Sequence, residues 1–226
     1  MTKVDALFSG NTLLDRIMYW IGRNSLVGFC RLWNRMSVEG RENVPASGPF
    51  ILAPVHRSNM DTPIAAVCAR RRMRYMGKDS LWKNKVAGKV LSAVGGFPVS
   101  RDVADREALV RCASVLEGGE PLVLFPEGER KAGPMVQPLK DGASYLALKA
   151  GVPIVPVGIG GSEAMMPKGA KFIKPVKICV VIGAPIYPPV SETGRVTKSQ
   201  RVELSSRLHE ELQRLFDAAQ RKAGAA

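Results

Sequence analysis

The sequence is poor in the residues that form metal sites and disulfides. It has two histidines, His56 and His209, and four cysteines among 226 residues, with no CxxC pair. So few histidines exclude a histidine-rich metal site, and no zinc-binding spacing occurs, so no metal ion is expected. The cysteines are widely spaced and have mainly apolar neighbours. They are therefore predicted to be small core residues of a protein from a reducing compartment.

Acidic residues are also scarce relative to basic ones. The chain has 20 Asp and Glu against 33 Lys and Arg, which gives a net charge of +13. This excess favours a polyanionic partner, which could be nucleic acid, anionic lipid headgroups or an acidic carrier protein. The basic residues are spread over the whole chain and no nucleic-acid-binding motif is present, which argues against a nucleic-acid-binding protein.

No apolar run is long enough to span a membrane. Residues 11–38 are rich in Leu, Ile, Trp, Tyr and Phe, but their longest uncharged runs are 17–22 and 24–30, far below the ~20 residues of a spanning helix. The first ten residues lack the apolar core of a signal peptide. The pattern is typical of one or two amphipathic helices on a membrane surface, and the alternative is that they only pack on the domain. We therefore predict membrane-surface helices at 1–38 and a separate domain at 39–226.

From residue 49 onward, apolar runs of strand length alternate with helical patterns. The strand candidates are 49–55, 74–78, 95–100, 121–126, 152–159 and 176–183. The helix candidates are 62–72, 80–94, 102–117, 139–151 and about 198–222. Continuous apolar strands that alternate with helices predict an α/β fold, with a mostly parallel central sheet flanked by helices.

One of the two histidines lies in the segment VHRSNMD (55–61), between a strand candidate and a helix candidate. His56 and Asp61 are five positions apart. On a helix this spacing would place the two side chains on different sides, and on a strand it would place them on opposite faces. The two side chains can therefore meet only if the chain turns between them, and Ser58 and Asn59 favour a turn. In that turn Asp61 can accept a hydrogen bond from one imidazole nitrogen and leave the other as a base. The alternatives are a structural histidine and an aspartate that only caps the helix.

Two further segments place an arginine just beyond a strand candidate. GGFPVSR ends at Arg101, and FPEGER contains Glu127, Gly128 and Arg130. In a parallel sheet both segments lie at the same edge as His56. Arginine suits bidentate binding of phosphate, and glycine permits close approach of the backbone. As alternatives, FPEG is an ordinary turn and a single surface arginine needs no function.

In this order, HRSNMD, GGFPVSR, FPEGER and VPIVPV resemble the four motifs of the glycerolipid acyltransferase family, which includes the lysophosphatidic acid acyltransferases. The similarity extends over residues 49–159, and the spacing of Lys140, Gly142 and Ala143 adds to it. The histidine–aspartate block is a weak signal alone, but four blocks in this order are specific.

The resemblance implies that His56 is the general base and that Asp61 orients it. It also implies a set of substrate-binding residues: Arg101, Glu127, Gly128, Arg130, Lys78 and Lys140. Arg101 would bind the phosphate of the acceptor, Arg130 would be a further phosphate contact, and Glu127 and Gly128 would shape the pocket.

Two positions depart from the family's pattern. Ser100 stands where an acidic or amide residue often precedes the arginine, and Glu129 stands where Thr or Ser is usual. A carboxylate beside Arg130 is expected to weaken its hold on phosphate, so the acceptor is less well defined than the reaction.

The implied reaction moves a fatty acyl group from acyl-CoA or acyl carrier protein to the free hydroxyl of a lysophospholipid. With 1-acylglycerol-3-phosphate as acceptor it would give phosphatidic acid, in phospholipid biosynthesis. The thioester is already activated, so no cofactor is expected beyond this co-substrate. The expected location is the cytoplasmic face of the cell membrane, as a peripheral or monotopic protein on an anionic surface. The alternatives are glycerol-3-phosphate or another lysophospholipid as acceptor, or a non-catalytic basic peripheral membrane protein.

Overall fold

The computed structural model describes residues 12–99, 105–167, 169–189 and 195–225, with the side chains of 78, 105 and 106 outside that description. The helices are α1 Leu13–Trp33, α2 Asp61–Cys68, α3 Lys85–Ala93, α4 Asp105–Glu117, α5 Gly142–Ala150, α6 Ser162–Met165 and α7 Lys198–Ala223. The strands are β1 Ser37–Glu39, β2 Ile51–Pro54, β3 Arg74–Lys78, β4 Gly96–Val99, β5 Leu122–Val123, β6 Ile154–Gly160 and β7 Cys179–Ile182.

The described strands form one seven-stranded sheet in the order β1-β7-β6-β2-β5-β3-β4. β6, β2, β5, β3 and β4 are parallel to one another. β7 is antiparallel to β6, and β1 pairs parallel with β7. All residues of β2 and β6 are buried, as expected for strands covered on both faces. The predicted α/β fold with a mostly parallel sheet flanked by helices is confirmed.

Helix α7 lies directly against β6 because two glycines leave room for its backbone. A Cβ atom added at Gly158 would come within 2.3 Å of the Leu215 carbonyl oxygen, and one at Gly160 within 2.2 Å of the Ala219 carbonyl oxygen. The stripe predicted for this helix is buried: Leu204, Leu208, Leu212, Leu215 and Ala219. Close packing of this kind fixes the position of β6, the neighbour of β2.

Several element boundaries differ from the sequence prediction. The helix predicted at 80–94 is divided into a 3₁₀ helix, Asp79–Trp82, and α3. The cause is Asn84, whose side chain accepts hydrogen bonds from the N–H groups of Val86 and Ala87 and so begins a new helix. The strand predicted at 121–126 pairs only at Leu122 and Val123, and the chain then leaves the sheet. The start predicted for α4, at residue 102, lies outside the described residues.

The described N-terminal region is one helix, α1, followed by a strand of the sheet. Arg23 of α1 donates hydrogen bonds to the carbonyl oxygens of Ala66 (3.0 Å) and Ala69 (3.1 Å), at the end of α2. Cys30 belongs to the main hydrophobic core. Because Cys30 packs with the strands, α1 and the sheet share one core. The boundary predicted at residue 38 falls inside β1.

The other side of α1 carries large apolar side chains in contact with solvent. These exposed residues are Leu13, Leu14, Ile17, Met18, Trp20, Ile21, Phe29, Leu32 and Trp33. Even so, none of the described helices combines the length and the apolar character that crossing a membrane requires.

The four cysteines are free and buried, as predicted for core residues. Burial raises the pKa of the Cys68 and Cys112 thiols to about 12. These two thiols are therefore protonated at neutral pH and are poor nucleophiles.

A buried ion pair connects the turn after β2 to the loop after β5. Arg57 Nη1 lies 2.9 Å from Glu127 Oε1 and 2.5 Å from Oε2, and both side chains are wholly buried. Arg57 also donates to the carbonyl oxygens of Gly133 (3.2 Å) and Met135 (3.0 Å), and its guanidinium lies over the ring of Phe216, 4.8 Å from the centroid. The pair therefore holds two loops and helix α7 together at the carboxyl end of the sheet.

We expect Glu127→Gln to destabilise the protein by about 3–5 kcal/mol, because it leaves the buried Arg57 guanidinium without its counter-charge at nearly constant side-chain volume. Urea unfolding of the variant and the wild-type protein measures the change. Glu211→Gln is the matched control, since Glu211 pairs with the exposed Arg214 on α7 and such a pair contributes about 1 kcal/mol or less. A loss in Glu127→Gln as small as that of the control would contradict the structural role of the buried pair.

Candidate active site

His56 and Asp61 meet at the carboxyl end of β2. The His56 Nδ1 atom lies 3.2 Å from Asp61 Oδ2. The same oxygen accepts hydrogen bonds from the N–H groups of Arg57 (2.5 Å) and Ser58 (2.6 Å), and these bonds close the turn between the two residues. The Asp61 side chain thus points back at the turn, whereas a helix cap would bond forward to the first turn of α2.

The imidazole of His56 contacts Asp61 and Phe125 and is partly exposed. Its ring stacks on Phe125, with 4.0 Å between centroids, and the side chain is 16% exposed. The contact with Asp61 Oδ2 favours a proton on His56 Nδ1, since a carboxylate oxygen only accepts. His56 Nε2 is then the basic nitrogen, on a side chain that is partly open to solvent.

The backbone of His56 is fixed as firmly as its ring. Its N–H donates to Glu127 Oε2 (3.4 Å), and its carbonyl oxygen accepts from the Lys131 N–H (2.9 Å) and from Arg57 Nη1 (3.2 Å). The loop after β5 therefore positions a residue that follows β2. Such fixed geometry suits a proton acceptor that must meet a substrate hydroxyl at hydrogen-bond distance.

The predicted substrate-binding residue Glu127 is turned toward the protein. Its two carboxylate oxygens accept from Arg57, from the Gln137 N–H (3.0 Å) and from the His56 N–H. Glu127 therefore supports the turn that carries His56, and it affects the surface around the imidazole through that turn.

Gly128 and Lys140, two other predicted site residues, lie against each other. Gly128 has a φ of +76°, and a Cβ atom there would come within 2.6 Å of Lys140 Cε. The Lys140 N–H donates to the Pro126 carbonyl oxygen (2.8 Å), which brings its side chain to this turn. A larger residue at position 128 would adopt an unfavourable left-handed conformation and displace the lysine.

The remaining predicted phosphate contacts are Arg130, Lys78 and Arg101. Arg130 is partly exposed. The neighbouring Glu129 carboxylate forms an ion pair with Lys131 Nζ (2.7 Å), which partly neutralises the negative charge beside Arg130. Lys78 is the last residue of β3, and its side chain is outside the described set. Arg101, two residues past the end of β4, lies outside the described residues.

Sequence reasoning missed Arg57, Phe125 and Gln137, which hold the histidine turn. Arg57 carried a visible signal, because a charged residue directly follows an apolar strand and the histidine. Nothing in the sequence indicated its partner 70 residues away. Across the described residues, no group of three or more His, Cys, Asp or Glu side chains has the geometry of a metal site.

Comparison with known proteins gives consistent matches. A family model described as acyltransferase matches residues 35–160. The chain is 29% identical over 171 residues to the 1-acyl-sn-glycerol-3-phosphate acyltransferase of Bacillus subtilis, which covers 75% of this chain and 83% of that protein. It is also 29% identical to a chloroplastic 1-acyl-sn-glycerol-3-phosphate acyltransferase of Brassica napus, over 68% of this chain but only 45% of that protein.

The fold has a solved counterpart. The crystal structure of the 1-acyl-sn-glycerophosphate acyltransferase PlsC from Thermotoga maritima superposes with a TM-score of 0.69 and 26% identity, and the match covers 89% of this chain and 79% of that one. The family match includes β2, the histidine turn and the loop after β5, which together form the site. Since it covers more than half of the sequence, this chain belongs to the acyltransferase family.

Proposed function

We propose that the protein transfers a fatty acyl group from an acyl thioester to the free hydroxyl of 1-acylglycerol-3-phosphate, giving phosphatidic acid. The observation that carries the proposal is the contact between His56 Nδ1 and Asp61 Oδ2 at the carboxyl end of a parallel strand, where α/β proteins bind their substrates. The acceptor is inferred from the names of the relatives in Bacillus subtilis and Brassica napus.

In this mechanism the substrate supplies the nucleophile. His56 Nε2 takes the proton of the acceptor hydroxyl as its oxygen attacks the thioester carbonyl, and a tetrahedral intermediate forms. The intermediate collapses with cleavage of the C–S bond, and the imidazolium returns the proton to the departing thiolate. The Asp61 carboxylate stabilises the imidazolium between the two steps. General-base assistance of this kind is typically worth about 10²–10⁴ in rate.

The thioester donor removes the need for further catalytic groups. A thiolate is a good leaving group, so neither a metal ion nor a covalent acyl-enzyme is required. Acyl-CoA and acyl carrier protein present the same reacting bond, and we propose that either class of thioester is the donor.

The phosphate of the acceptor is assigned to basic residues at the edge of the sheet. We propose Arg101 as the main contact, with Arg130, Lys78 and Lys140 as further ones. β4, which leads to Arg101, is three strands from β2 in the sheet order, about 14 Å at the usual strand spacing.

We also propose that α1 lies on an anionic membrane, with the enzyme peripheral to the cytoplasmic face. The proposal is supported by the exposed apolar side of α1 and by the net charge of +13. Apolar burial and attraction to anionic lipid together hold interfacial helices. A lipid acceptor and a lipid product require an active site that is accessible from the membrane surface.

The reaction is tested with purified protein, acyl-CoA or acyl carrier protein as donor, and a panel of acceptors. We expect 1-acylglycerol-3-phosphate to be acylated faster than glycerol-3-phosphate or lysophosphatidylcholine.

Arg101→Ala should raise the KM for 1-acylglycerol-3-phosphate by about 10- to 150-fold, since a charge-assisted contact is worth roughly 1.5–3 kcal/mol. It should leave the KM for the donor unchanged. No transfer to any acceptor would refute the proposed reaction, and an equal effect on both KM values would remove Arg101 from the phosphate site.

The membrane role of α1 is tested by Trp20→Glu. Trp20 is 66% exposed, so the substitution should leave the melting temperature unchanged. Sedimentation with vesicles that contain phosphatidylglycerol should show a loss of binding of roughly tenfold or more, because an aromatic ring that inserts into the membrane is replaced by a charge. Val202→Glu, at an exposed apolar residue of α7, is the control. Equal binding of both variants and the wild-type protein would place the membrane contact elsewhere.

A further inference from the structure

A second exposed surface of mixed character lies outside α1. The segment 171–177, KFIKPVK, contains Lys171, Lys174 and Lys177 and no acidic residue, and all three lysines are exposed. Phe172 is 83% exposed. We call this segment the lysine–phenylalanine loop. A ring this exposed, in a segment with three lysines, contributes little to the buried core of the domain.

The loop lies at the edge of the sheet that carries His56. β6 is parallel to β2, and the chain that leaves β6 enters the loop through α6. It returns through β7, which is antiparallel to β6, so both ends of the loop are at that edge. The Ser58 hydroxyl, in the histidine turn, donates to the Met166 carbonyl oxygen (2.9 Å) just before the loop.

The loop is held in place at its base. The Lys174 N–H donates to the Met165 carbonyl oxygen (2.9 Å). The buried side chain of Asn34, at the end of α1, donates to the carbonyl oxygens of Lys174 (2.9 Å) and Val176 (3.0 Å). These bonds fix the base, so Phe172 projects from a held segment and not from a free end.

The end of α1 adds apolar surface beside this base. Leu32 is 86% exposed, and the rings of Phe29 and Trp33 are stacked with 6.4 Å between centroids. Trp33 directly precedes Asn34, which binds the loop. The exposed apolar end of α1 is thus joined to the base of the loop through Asn34.

We propose that the lysine–phenylalanine loop docks on an anionic lipid surface, with Phe172 inserted at the headgroup boundary and its lysines on the headgroups. The combination of an aromatic ring with several cations fits such an interface. The docked edge is the one that contains His56, so a lipid acceptor would reach the site without leaving the membrane surface. The inference rests on the proposed lipid acceptor, but membrane binding can be measured without catalysis.

Vesicle sedimentation of the full chain tests the proposal with Phe172→Ala and with the double variant Lys171→Gln/Lys174→Gln. On vesicles with phosphatidylglycerol, we expect Phe172→Ala to lower binding roughly tenfold, and the double variant to lower it about fivefold for each lysine. On pure phosphatidylcholine the lysine variant should bind like the wild-type protein, because the attraction to anionic lipid is absent.

The opposite edge of the sheet supplies the controls. Tyr187, 65% exposed, follows Ile186, which pairs with the first residue of β6, so Tyr187→Ala is matched to Phe172→Ala. Lys149 and Lys198 are exposed and lie near the end of α5 and at the start of α7. Lys149→Gln/Lys198→Gln removes the same charge as the lysine double variant. We expect both controls to bind anionic vesicles nearly as well as the wild-type protein.

Activity assays separate this proposal from the proposed function. The loop variants should be slow on an acceptor presented in vesicles and normal on a short-chain soluble acceptor. Loop variants that bind vesicles as well as their controls would overturn the docking proposal while the reaction stands. A wild-type protein that transfers no acyl group would refute the reaction while the vesicle result remains valid. Unchanged vesicle binding with slower transfer from acyl carrier protein alone would make the loop a protein-binding surface and overturn the lipid assignment.

Discussion

The buried ion pair between Arg57 and Glu127 is the contact on which the geometry of the site depends. It joins residues 70 positions apart in sequence, and the same two side chains bond to the N–H and the carbonyl oxygen of His56. A buried pair of charges has a large desolvation cost, which is offset only when further hydrogen bonds surround it. Here loop carbonyls, a backbone N–H and an aromatic ring surround it. The result is a histidine whose backbone is fixed by one carboxylate and whose ring is oriented by another.

This division between two carboxylates fits a reaction that asks little of the protein. A thioester is already activated, and the acceptor brings its own oxygen nucleophile, so one well-placed base is the main chemical requirement. Asp61 contributes charge at the imidazole, and Glu127 contributes position through Arg57. The proposed lipid acceptor must also reach this base, and the exposed apolar residues of α1 and the lysine–phenylalanine loop lie on the outside of the same domain.

The sequence predicted the parts of the fold that have local patterns. Strands β2, β3 and β6 and helix α7 follow from apolar runs and helical spacing, and the turn between His56 and Asp61 follows from a spacing that no regular element accommodates. Other features have no local pattern. The pairing of Arg57 with Glu127 depends on the strand order, and β1, with three residues, is too short to be recognised. The period of α1 is the same whether its apolar side faces lipid or protein, so the pattern left open whether α1 packs on the domain; the burial of Cys30 agrees with its prediction as a core residue.

The most direct test of the central claim is the turnover of His56→Ala in the acyl transfer assay. We predict that the variant folds normally, because the ring is partly exposed, and that its kcat falls by about 10²–10⁴, the usual contribution of a general base. His209→Gln is the control, since glutamine can keep the hydrogen bond that this histidine makes with the Val136 carbonyl oxygen (3.0 Å), and it should retain activity. A folded His56→Ala protein with turnover close to that of the wild-type protein would contradict the account.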